Sequence, residues 1–159
     1  MRLRILVLGL GNILLTDEGL GVRAVERLAA AHDLPENVEV LDGGTLGLDL
    51  LPRLEGVDAL LLVDAVQAGG EPGALVRLEG DAIQAALAVK ISVHQVGLRE
   101  LLAVSAFQGT RPPHIVLWGM APAVIDWGLE LSPLVAARLD ALAEAVAQEL
   151  RAWGADIDH

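Results

Sequence analysis

The sequence contains no cysteine and no tyrosine, a single phenylalanine and, at Lys90, a single lysine. The missing cysteines exclude disulfides, thiolate nucleophiles and cysteine-ligated zinc or iron–sulfur centres, and they suit a cytoplasmic protein. The missing tyrosines remove phenols as acids or nucleophiles. Only Ser92, Ser105 and Ser132 carry a serine hydroxyl, and none sits in a G-x-S-x-G elbow. Long apolar runs are lacking too. The greasiest stretches, Ile5–Leu15 and Ile115–Ile125, are interrupted by Gly, Asn or Pro and fall short of the ~18 residues a membrane span needs. No membrane insertion is expected. The first apolar run leads straight into Asp17 and Glu18 without a small-residue cleavage site, so no secretory leader is expected. Basic residues are few: 11 Lys and Arg against 22 Asp and Glu give a net charge of −11. That sign repels nucleic acid, whose phosphates need Lys and Arg. It fits a cation or a neutral or basic partner, and equally plain solubility.

What is present is a chain of 159 residues, 53% of them hydrophobic. This length suits one domain, spanning 1–159, with a real core. Leu3–Leu10 reads as a buried strand stopped by Gly9 and Gly11. From Asp17 to Ala31 the spacing of Leu20, Ala24, Val25 and Leu28 predicts a helix, with Thr16 as its N-cap. Val38–Leu41 is a second strand, ending at Asp42-Gly43-Gly44-Thr45. Thr45 is placed to cap a helix carrying Leu46, Leu50, Leu51 and Leu54.

Ala59–Val63, apolar throughout, reads as a strand buried on both faces and ends at Asp64. Gly69-Gly70-Glu71-Pro72-Gly73 is a loop, and Leu75–Leu78 a short edge strand. Helices are expected from Asp81 to Val89 and after His94, the second with Val96, Leu98, Leu101, Leu102 and Val104 apolar. Ile115–Trp118 is the last strand. Ser132-Pro133 then opens a helix with a capping residue and a proline at its first position. Leu134, Leu139, Leu142, Val146, Leu150 and Trp153 form its stripe, and Gly154 its stop. The alternation predicts a three-layer α/β/α sandwich with a twisted, mainly parallel sheet of about five strands.

In such folds ligands gather beyond the carboxyl ends of the strands. There the sequence places Asn12, Asp17 and Glu18 after the first strand, Asp42 after the second and Asp64 after the third. His94 enters a helix. Gly9-Leu10-Gly11 suggests a dinucleotide fold, but the third glycine is replaced by Leu14. A pyrophosphate at the following helix would also meet Asp17 and Glu18. Glu18, Asp64 and His94 instead offer two oxygens and one nitrogen, a set suited to a divalent transition metal.

Plainer roles compete at each position. Asp17 and Glu18 complement a helix dipole. Asp64 caps the turn after its strand, His94 starts its helix, and Asp42 bonds its own turn. Asn12 holds its loop through its amide, and His114 opens the last strand. His32 and His159 are solvated, and Trp118, Trp127 and Trp153 are packing residues.

The segment Gly9-Leu10-Gly11-Asn12-Ile13-Leu14-Leu15-Thr16-Asp17-Glu18-Gly19-Leu20-Gly21 resembles the opening signature of the hydrogenase maturation endopeptidases. Asp42-Gly43-Gly44-Thr45, Asp64-Ala65, Ser92-Val93-His94-Gln95 and Gly119-Met120-Ala121-Pro122 resemble four further motifs of that family, in the same order. Val93 stands where some relatives have Pro. The likeness runs from about Leu3 to Trp153.

It implies an endopeptidase that removes the C-terminal extension of a [NiFe]-hydrogenase large-subunit precursor after nickel insertion. By this resemblance Glu18, Asp64 and His94 match the metal-binding positions, and Asp42 matches a carboxylate needed for processing. The nickel arrives with the precursor, and other divalent metals can occupy the same site. Two other readings stay open: a checkpoint module that binds the nickel-loaded precursor without cutting it, and a nucleotide- or flavin-binding α/β protein.

Overall fold

The structure is a computed structural model that describes residues 2–67, 70–89 and 93–157, without the side chains of 88, 89, 93 and 94. Five strands, β1 (Ile5–Leu10), β2 (Val38–Gly44), β3 (Ala59–Ala65), β4 (Leu75–Glu79) and β5 (His114–Met120), form one sheet in the order β2-β1-β3-β5-β4. The β1–β2, β1–β3 and β3–β5 pairs are parallel, and the edge strand β4 runs antiparallel to β5.

Alternating residues of each strand face opposite layers. Ile5 and Val7 of β1, with Leu61 and Val63 of β3, pack under α1 (Leu20–Ala31) and α4 (Pro133–Ala152). Leu6, Leu8, Leu60 and Leu62 face the other way, toward a 3-10 helix (Gly47–Leu54), α2 (Asp81–Val89) and α3 (Val93–Gln108). β1 and β3 are buried along their whole length, as their unbroken apolar runs require. The three-layer, mainly parallel architecture read from the sequence is therefore the observed one. No helix among the described residues is long and apolar enough to cross a membrane.

Several local expectations are corrected. The segment from Asp17 does not begin as an α-helix: Thr16–Gly19 is a 3-10 turn, and α1 starts at Leu20 behind Gly19. Thr16 is not its N-cap. It adopts φ 49°, unusual for a β-branched residue, and its hydroxyl bonds elsewhere. The element after Thr45 is a 3-10 helix with no side-chain cap, and Pro52 within it lacks the N–H that an α-helical turn requires.

Leu46, Val96 and Leu134 are exposed, and in α4 Val135 takes the core position expected of Leu134. Trp127 is 78% exposed, so it does not pack in the core. Ser132 does occupy the N-cap position of α4, but its side chain makes no cap bond. Gly154 ends that helix as expected, its N–H donating to the Arg151 carbonyl at 2.9 Å. Gly69 of the predicted loop, Lys90, Ser92 and His159 lie outside the described residues.

Candidate functional site

The parallel strands end together on one side of the sheet, and the loops leaving them carry the candidate residues. Asp42 is paired with Gly9 near the end of β2, on an exposed edge, and is a strand residue rather than the start of a turn. A register shift after Gly9 pairs Leu10 with Gly44, so the sequence-predicted strand end at Leu41 extends through Gly44. Asp64 is fully buried within β3, opposite Gly119 of β5, and accepts the Ala65 N–H at 2.8 Å.

Glu18 is 9% exposed and lies in the 3-10 turn. Gly11 brings these two carboxylate-bearing residues to one place. It has φ 120°, and a Cβ there would overlap the Glu18 carbonyl oxygen and come 3.6 Å from Asp64 Oδ1. Only glycine lets β1 leave the sheet between them.

His94 lies in the first turn of α3; its side chain is outside the described part. The neighbouring Gln95 donates from Nε2 to the Ala65 carbonyl at 3.4 Å, which sets this turn at the end of β3, next to Asp64. Asn12 holds the loop between β1 and Glu18, as expected, by accepting the Leu14 N–H at 2.9 Å. The structure thus brings Glu18, Asp64 and the His94 backbone to one end of β3. Among the described residues no group of three His, Cys, Asp or Glu side chains forms a metal cluster.

The residue that the sequence undervalued is Asp17. Instead of merely facing a helix dipole, its buried carboxylate ties down the segment after β5. Oδ2 accepts the Ala123 and Val124 N–H groups, both at 2.9 Å, and the Ser132 hydroxyl at 2.7 Å. Oδ1 accepts the Ser132 N–H at 2.8 Å. Burial opposes its charge, but these donors outweigh it and hold the Asp17 carboxyl below the usual aspartate range.

Thr16 adds a bond from its hydroxyl to the Val124 carbonyl at 2.7 Å and one from its N–H to the Gly128 carbonyl at 2.9 Å. These partners lie more than a hundred positions away, so no local pattern reveals them. The only hint in the sequence is that the signature extends well beyond its candidate ligands.

The HycI hydrogenase maturation protease model matches residues 22–149, a stretch that holds Asp42, Asp64 and His94 but starts after Glu18. The chain belongs to the hydrogenase maturation protease family.

Its relatives in that family align over nearly its whole length. The hydrogenase expression/formation protein HupD of Rhodobacter capsulatus is 49% identical, covering 97% of this chain and 74% of its own. The Escherichia coli hydrogenase 2 maturation protease is 41% identical, covering 97% and 94%. The solved structure of the E. coli hydrogenase maturating endopeptidase HybD superposes with a TM-score of 0.92 at 40% identity, covering 99% of this chain and 96% of that one. The HybD maturation protease of Thermococcus kodakarensis follows at 0.76 and 31%, covering 94% and 99%. The hydrogenase maturation proteases are peptidases, and the dinucleotide reading of Gly9 and Gly11 gives way to that activity.

Proposed function

We propose that this protease acts in the cytoplasm and removes the C-terminal extension of a [NiFe]-hydrogenase large-subunit precursor once nickel is in place. In this reading Glu18, Asp64 and His94 grip the nickel that the precursor brings. Asp42, on the exposed end of β2, takes the proton of the water that attacks the scissile peptide bond.

The observation that carries the reading is the crowding at Gly11. Gly11, just after β1, lies between the Glu18 backbone carbonyl and Asp64 Oδ1, and both residues are fully or almost fully buried. A divalent cation would take carboxylates from both residues as ligands. The chemistry of the donors, carboxylates with one imidazole, suits a borderline metal such as nickel. The exposure of Asp42 leaves it open to water and to an incoming chain.

The test is mass spectrometry of nickel-loaded and nickel-free precursor incubated with the protein and with its Glu18→Gln and Asp42→Asn variants. Release of one C-terminal peptide from the loaded precursor alone, lost in both folded variants, is the expected result. Cleavage of nickel-free precursor would remove the metal from recognition. Binding of the loaded precursor without any cleavage would make the protein a checkpoint module.

A further inference from the structure

The turn that carries Glu18 has little of its own to hold it in place. Thr16–Gly19 is a single 3-10 turn of four residues, and neither its N-cap, Leu15, nor Gly19, the N-cap of α1, makes a side-chain capping bond. Hydrogen-bond geometry in such turns is poorer than in an α-helix. The Glu18 N–H donates to the Leu15 carbonyl at 3.1 Å, which closes the turn but does not anchor it to the sheet. A metal ligand needs more, since its side chain must be held to within about 0.5 Å.

Support comes from two sides. On one, the loop after β1 presses against the turn. A Cβ at Gly11 would overlap the Glu18 carbonyl oxygen, and one at Gly19 would stand 2.7 Å from Ile13 Cα. On the other stands Asp17, fully buried, whose oxygens take the Ala123, Val124 and Ser132 N–H groups and the Ser132 hydroxyl. Its own N–H donates to the Val124 carbonyl at 3.2 Å. Thr16, just before it, keeps a left-handed backbone that only over-determining surroundings sustain. Its bonds to Val124 and Gly128 supply that, with the Asp126 N–H donating to Thr16 Oγ1 at 3.1 Å. Backbone strain of this kind gathers at functional sites, and here it lies two residues before Glu18.

We infer that Asp17 is a positioning residue for the protease reaction: bound to the segment 123–132, it holds the 3-10 turn so that Glu18 meets the nickel of the precursor at a fixed place. This inference rests on the reading of Glu18 as a nickel ligand given above. Asp17 is not itself a ligand in this scheme, because its two oxygens already serve four donors. With asparagine at this position an NH₂ replaces one oxygen, and in either orientation it meets at least one of those N–H groups. The turn then has to rotate away, and Glu18, one peptide bond further on, moves with it. Losing a group that orients a metal ligand typically costs about 10–100-fold in metal affinity or activity.

The test measures binding of nickel-loaded and nickel-free precursor to the wild type and to folded variants. The ratio of the two affinities isolates the grip on nickel. Asp17→Asn should lower that ratio at least about tenfold and lower kcat on the loaded precursor, while affinity for the nickel-free form stays near that of the wild type. Ser132→Ala removes one of the four bonds and should lower the ratio by a smaller factor. Ser132→Thr, which keeps the hydroxyl, should keep the wild-type ratio. Leu28→Ala, on a fully buried side chain near the other end of α1, should lower the urea midpoint and leave the ratio unchanged. A wild-type ratio in folded Asp17→Asn, or in Ser132→Ala should the first variant not fold, would reduce Asp17 to a structural anchor and overturn the inference. An equal fall of the ratio in Leu28→Ala would do the same, since lost stability alone would then account for it. Equal affinity of the wild type for both precursor forms would instead overturn the nickel reading of Glu18 beneath it.

Discussion

Replacing Gly21 by alanine sets two effects of opposite sign against each other. Gly21 is in the first turn of α1, where alanine is the better helix former by about 1 kcal/mol. On propensity alone the variant should be more stable. The structure says otherwise. A Cβ at Gly21 would overlap the Val63 carbonyl oxygen of β3 and stand 2.6 Å from the Leu10 carbonyl of β1. Carbon and carbonyl oxygen normally stay about 3.3 Å apart or more. Both obstacles are backbone of central strands, so neither can rotate away.

The helix must retreat by roughly 1 Å, and a gap of that size forfeits about a quarter to a half of each dispersion contact along its buried stripe. Overpacking of this kind costs about 1–3 kcal/mol and occasionally more. Here it acts on the contacts of Leu20, Ala24, Val25 and Leu28, all in the core. Two clashes with fixed backbone put this site at the upper end of that range, so after subtracting the propensity gain Gly21→Ala should lose about 2 kcal/mol. For a chain of this size that lowers Tm by roughly 4–8 °C. Urea unfolding with an unchanged m-value would measure the loss. A variant as stable as the wild type, or more so, would refute the close approach of α1 to β1 and β3. Because Glu18 precedes this helix by two residues, precursor processing should fall with stability.

The remaining predictions concern buried charge and the core. Asp17→Asn turns an amide NH₂ toward donors that now find a carboxylate, and should cost about 2–4 kcal/mol by urea unfolding. Ser132→Ala removes only part of that cluster and should cost about 1–2 kcal/mol; a larger loss than for Asp17→Asn would invert the assigned roles. Glu149 of α4 accepts Arg77 Nε at 2.6 Å and Trp118 Nε1 at 2.9 Å, joining α4 to the β4–β5 edge. Arg77 above all, against the effect of burial and with help from Trp118, holds its carboxyl below the usual glutamate range.

The stabilisation from a lowered folded pKa is complete above the unfolded value of ~4.3 and disappears as pH falls through the folded one. Arg77 is partly exposed, so this contribution is about 1 kcal/mol or less. Urea midpoints at pH 6 and pH 3 should therefore differ less in Glu149→Gln than in the wild type; an equal drop would show that this pair does not drive the acid limb. Leu61→Ala, on a fully buried side chain of β3, should cost about 2–5 kcal/mol in the same assay.

How far the sequence was legible depended on the range of the interaction. β1 and β3 were evident because a strand covered on both faces must be apolar throughout. The α1 stripe was evident because helical spacing repeats every few residues, and all four of its predicted core positions are buried. Glu18, Asp42 and Asp64 could be picked out because a parallel sheet delivers whatever follows its strands to one end.

The rest lay in contacts that no window of sequence contains. Trp127 reads as a core residue by type, but its position in a loop beyond β5 leaves it outside. Thr16 reads as a cap because it precedes a helix, yet its hydroxyl and backbone are taken by residues 124 and 128. Asp17 reads as a partner for a helix dipole, and only the return of the chain at residues 123–132 makes it a buried anchor with four donors. The sequence by itself determined the layers, the strand ends and the chemistry available there, since those follow from local periodicity and residue type. The tertiary structure decided that Asp17 clamps the loop at residues 123–132, because a buried carboxylate takes its role from the donors around it.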